Sequence, residues 1–199
     1  MATGQGGRLV AYAVHMLVNV VLVGLVVLAV WNVPPRGAEG TDADAAALEE
    51  SIGEFEEAVA SGARKVGEVT EQQINAYLAS RLAQARESRM EGLSGIGIDI
   101  LAVAIGPEKI SLAVSTRWGG IVGKQISYEV EFVPKVRNSR LRFVPLQGCI
   151  GKLPLSRAGA SWLGRKLGKV FTESRRELGI FERISTFDLG SGKVTIGVN

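Results

Sequence analysis

The chain has 199 residues, 46% of them hydrophobic and 22% charged, with a formal net charge of +3. That length suits one ordinary domain with an appendage, and the balance excludes both a disordered chain and a polytopic membrane protein. The only histidine, His15, lies in an apolar N-terminal run, and the only cysteine is Cys149. Outside that run the chain therefore has no means to build a Ser/His/Asp triad, a Cys/His pair, a His-ligated metal site, an intramolecular disulfide or a CxxC site. The reading expects no catalytic residue, no metal and no cofactor.

From Leu9 to Val33 the sequence carries 25 residues without a charge, bounded by Arg8 and by Pro34-Pro35-Arg36. As a helix this exceeds the roughly 30 Å hydrocarbon core, and no small-residue cleavage site follows Trp31, so the run reads as an uncleaved transmembrane anchor over 9–33 behind a cytoplasmic tail, 1–8. Tyr12 and Trp31 suit the two membrane interfaces. His15 and Asn19 share a helical face, where they meet interfacial water or contact another membrane helix. Arg8 and the amino terminus favour a cytoplasmic tail, which places the main domain outside the inner membrane. A cytoplasmic domain is the alternative.

Residues 34–63 read as an acidic linker and helix. Between Gly37 and Ala63 there are eight acids and no base, with Leu48, Ile52, Phe55 and Val59 at helical spacing, Thr41 and Asp44 as start caps, and Gly62 as the stop. The domain proper is expected over 64–199. Thr70 and Gln73 form a capping-box pattern for a helix over 71–86, with Ile74, Tyr77, Leu78 and Leu82 on its apolar face. Period-2 alternation then begins: Ile96, Ile98 and Ile100, running on to Ile105; next Ile110, Leu112, Val114, Thr116 and Trp118; then Ile126, Tyr128, Val130 and Phe132. A further strand starts at Leu141, a helix over 157–178 follows Ser156, and a hairpin, 184–189 with 193–198, closes the chain. The expected fold is α+β: the transmembrane helix, then one curved antiparallel sheet of about six strands packed against two amphipathic helices.

Two stretches carry a resemblance. TEQQINAYLASRL, from Thr70, resembles the early helix of the YpmS-like bacterial single-pass membrane proteins, and GKLPLS, from Gly151, resembles their glycine-leucine-proline step before a late helix. The resemblance implies an extracytoplasmic domain without known catalytic residues. More distantly it implies kinship with sheet-and-helix domains that hold lipid, such as the LmeA-like envelope proteins.

The remaining signal is charge. Residues 134–183 carry twelve Lys or Arg against three Glu, a net of +9, whereas 39–58 carry −8. The two regions can complement each other, or the basic helix can face anionic headgroups through Arg165, Lys166, Lys169, Arg175 and Arg176. Nucleic acid is not expected as a partner, because no recognition motif is present. Asp99, Glu129 and Glu131 read as solvated strand residues. The functional expectation is a non-enzymatic, membrane-anchored envelope protein that holds lipid between sheet and helices, with Ile98, Ile100, Leu112, Val114, Tyr128, Val130, Trp162 and Leu167 as the ligand face. The alternative is a scaffold that acts through contacts with another membrane protein.

Overall fold

The computed structural model describes residues 4–29, 33–34, 37–87, 98–117, 125–137, 140–171, 180 and 182–199, with side chains from residue 16 onward except 85–87, 140 and 166–171. Four helices are α1 (Gly4–Ala29), α2 (Asp42–Ser61), α3 (Glu71–Glu87) and α4 (Arg157–Phe171). Eight strands are β1 (Lys65–Thr70), β2 (Ile98–Ile105), β3 (Ile110–Arg117), β4 (Gln125–Arg137), β5 (Arg140–Ile150), β6 (Leu153–Leu155), β7 (Ile184–Leu189) and β8 (Lys193–Val198).

The helix starts follow from their caps. At α2 the Thr41 hydroxyl accepts from the Asp44 N–H while the Asp44 carboxylate accepts from the Thr41 N–H, and Gly62 ends the helix in the left-handed conformation, φ 68°. At α3 the Thr70 N–H donates to Gln73 Oε1 at 2.9 Å, and the Gln73 N–H to Thr70 Oγ1 at 3.2 Å. At α4 the Gly159 N–H donates to Ser156 Oγ. The bonds from Thr41 hold the Asp44 carboxyl below the usual aspartate range. A carboxylate whose folded-state pKa is depressed stabilises above its unfolded value, about 3.9, and that contribution is lost as pH falls through the lower folded value. Asp44→Asn is therefore expected to flatten the acid limb of the stability profile below about pH 4. Urea midpoints at stepped pH check it, and an unchanged limb would refute it.

The expected fold class requires correction in two respects. Among the described residues no helix is long and apolar enough to cross a membrane. The strands, moreover, form two antiparallel sheets and not one, a five-stranded sheet in the order β2-β3-β4-β5-β6 and a three-stranded sheet in the order β1-β8-β7. The physical cause is β1. Its six residues carry too little alternation to be distinguished from a helix lead-in, yet they pair along their whole length with β8, Lys65 opposite Val198 through Thr70 opposite Lys193. The closing hairpin is thereby drawn away from the meander.

Two buried clusters fill the interior. The first joins α2 through Leu48, Ile52 and Phe55 to Val69, Ile184, Val194 and Val198 of the smaller sheet. The second joins Leu82 of α3 and Leu163 of α4 to Ile98, Leu101, Leu112, Val114 and Val130 of the larger sheet. Val103 packs against both.

The outer face of the larger sheet is also largely covered. Ser115 and Ser127, opposite one another on β3 and β4, share a hydrogen bond at 2.9 Å, and Val33 and Pro34 lie beside Ala113 and Ser127. Glu131 is buried, correcting the solvated reading, and it accepts from Lys109 Nζ at 2.8 Å and Gln147 Nε2 at 2.7 Å. The two donors supply the partners a buried carboxylate requires.

Candidate functional site

Between the two sheets and the helices α2, α3 and α4 lies a cavity of about 740 Å³. One wall is the smaller sheet, with Val69, Ile184, Phe187, Val194 and Ile196 turned inward. The opposite wall is the larger sheet, through Val103, Ile105, Ile110, Leu112 and Phe132. A chain of edge-to-face rings, Phe132 to Phe143 and Phe143 to Phe187 with centroids 6.2 Å apart in both pairs, ties the sheets together along the cavity. Helix α2 closes one side through Leu48, Ile52 and Phe55, and α3 adds Ile74, Tyr77 and Leu78.

Helix α4 contributes the polar lining. Ser161, Gly164 and Arg165 occupy one face of it, at i, i+3 and i+4, and all three line the cavity. A Cβ at Gly164 would sit 3.2 Å from the Phe132 ring, so the glycine lets α4 approach β4. Arg165 is exposed, and the cavity therefore reaches solvent beside it. Apart from Ser161, Arg165 and the hydroxyl of Tyr77, whose ring lies under the Arg81 guanidinium at 5.9 Å, the lining side chains are apolar. Among the described residues the lining holds no carboxylate, imidazole or thiol.

The β2 wall is held in place by two residues of α3. The Glu71 carboxylate accepts from the N–H of Ala38 and of Ile105, both at 2.6 Å. Asn75 donates through Nδ2 to the carbonyls of Ala38 and Val103, both at 2.9 Å, and its Oδ1 accepts from the Val103 N–H at 2.7 Å. Together they satisfy the free edge of β2 and dock residues 37–38 against it. Gly37, at φ 146°, passes so close that a Cβ there would lie 2.7 Å from the Val103 carbonyl oxygen. Glu71 suits a helix start and Asn75 a polar helix face on sequence alone. Only the i, i+4 spacing hints that they share a target.

Of the residues expected to form the ligand face, Leu112 lines the cavity. Ile98, Val114 and Val130 are buried in the second cluster, and Tyr128 packs against that cluster. Ile100 faces the other way, 37% exposed, because the register shifts between Ile98 and Ile100 and reverses the alternation beyond it. Trp162 is 52% exposed on α4. Leu167 lies outside the residues whose side chains are described. So do the headgroup candidates Lys166, Lys169, Arg175 and Arg176, and Tyr12, His15 and Trp31 of the expected anchor. Asn19 is exposed on α1. The α2 and α3 lining is legible in the sequence as helical stripes, whereas the inward residues of the second sheet carry no sequence signal that links them to the first.

No protein-family model matches the chain, and no curated protein or solved structure matches it. The resemblance to the YpmS-like proteins thus rests on the quoted residues alone.

Proposed function

We propose that the protein holds an apolar ligand of lipid size between its two sheets, without carrying out a reaction on it. The observation that carries this reading is the cavity itself, about 740 Å³ with an almost wholly apolar lining. The cavity opens to solvent beside Arg165, so in the empty protein its apolar lining faces water. Water is a poor filling, since each buried molecule needs two to four polar partners. An apolar ligand removes that contact and buries its own surface at about 25 cal/mol per Å². The described lining is apolar apart from Ser161, Arg165 and the Tyr77 hydroxyl, which supports holding over turnover.

Organic extraction of the purified protein followed by mass spectrometry tests the reading. The expected result is about one equivalent of a lipid-class molecule per chain. A ligand-free protein of undiminished stability would refute it. The scaffold reading draws on a different observation, the exposed apolar side chains of α1 from Met16 to Leu28, since a patch of that kind on a monomer marks a surface that is covered in use. That role would survive when the cavity is filled by mutation.

A further inference from the structure

We infer that the ligand is an anionic amphiphile, held with its apolar part between the sheets and its acidic head on Arg165 at the α4 edge of the cavity. This rests on the cavity reading and specifies the chemistry of the molecule inside it. Three observations carry it. Among the described residues of the lining Arg165 is the one that carries a charge, and no described carboxylate lines the cavity with it. Among the described residues no ion pair engages Arg165, which leaves its guanidinium open to an anionic group. Ser161, one turn earlier on the same face, adds a hydroxyl donor beside the guanidinium, and apart from the Tyr77 hydroxyl on α3 the rest of the described lining is hydrocarbon.

Guanidinium and hydroxyl together match a head with several acceptor oxygens, a carboxylate or a phosphate ester, and the planar fork of Arg165 favours bidentate pairing. The cavity, about 740 Å³, is of a size to take an acyl tail.

The test is displacement of the neutral fluorophore N-phenyl-1-naphthylamine from the full-length, delipidated chain by ligands that share one C18 tail: oleate, oleoyl lysophosphatidate and oleyl alcohol. On the wild type the anions are expected to displace the fluorophore at lower concentration than the alcohol. Arg165→Met is expected to weaken the anion about five- to tenfold while leaving the alcohol and the fluorophore unchanged, and Arg165→Lys to restore most of the difference. An Arg165-dependent effect confined to oleate identifies a carboxylate head, and one confined to lysophosphatidate identifies a phosphate ester. Equal displacement by all three ligands, in wild type and Arg165→Met alike, would overturn this inference and leave the cavity reading intact. No binding of the fluorophore by the wild type would overturn both.

Discussion

Replacing Ile196 with tryptophan is expected to weaken binding of a neutral apolar fluorophore at least tenfold and to leave the ligand-free protein as stable as the wild type or more so. Ile196 stands on β8 with its side chain on the cavity, opposite Gly67 of β1 and Phe187 of β7. The larger ring enters space that a ligand would take and covers apolar lining that otherwise faces water, at about 25 cal/mol per Å². Two opposed effects are thereby tied to one substitution: binding falls as stability rises, the usual trade at a functional cavity. Leu112→Trp makes the same test from the opposite sheet. Fluorescence titration and thermal melting check both variants. Undiminished binding in the two folded proteins would show that the ligand sits elsewhere.

Replacing Asn75 with aspartate is expected to cost about 3 kcal/mol or more. The shape is kept, but Nδ2, which donates to the carbonyls of Ala38 and Val103, becomes an acceptor facing two acceptors. A buried polar group left without its partner costs about 1–3 kcal/mol, and here two carbonyls lose theirs while a charge is placed at a buried position. The defect falls on β2, whose Val103 and Ile105 side chains form part of the cavity wall. Urea unfolding measures it as a lower midpoint at unchanged slope. A loss below about 0.5 kcal/mol, the range of an ordinary surface substitution, would show that the clamp does not hold the strand.

Much of the architecture can be read along the chain because its causes are local. The caps at Thr41, Thr70 and Ser156 need only residues three positions apart, the stripes of α2 and α3 follow the helical period, and the β2-β3-β4 meander follows alternation between short turns. Reading fails wherever a distant partner decides. The bulge between Ile98 and Ile100 reverses which residues face inward, so an unbroken alternation through Ile96, Ile98 and Ile100 assigns Ile100 to the wrong face. Glu71 looks like a residue chosen for the helix dipole until its two oxygens are seen to hold Ala38 and Ile105.

By itself, then, the sequence determined the α+β class, the helix starts and most of the strands. Each of these depends on residue type and on spacings of a few positions. The tertiary structure alone decided that there are two sheets, that Val69, Ile196 and Phe187 face Leu112 and Phe132 across a common space, and that Arg165 stands at its edge. Those facts depend on β1 pairing with β8 from the far end of the chain. A strand of six residues carries too few side chains to name its partner, and a cavity is a property of surfaces that fail to meet, which no run of residues encodes in its own spacing.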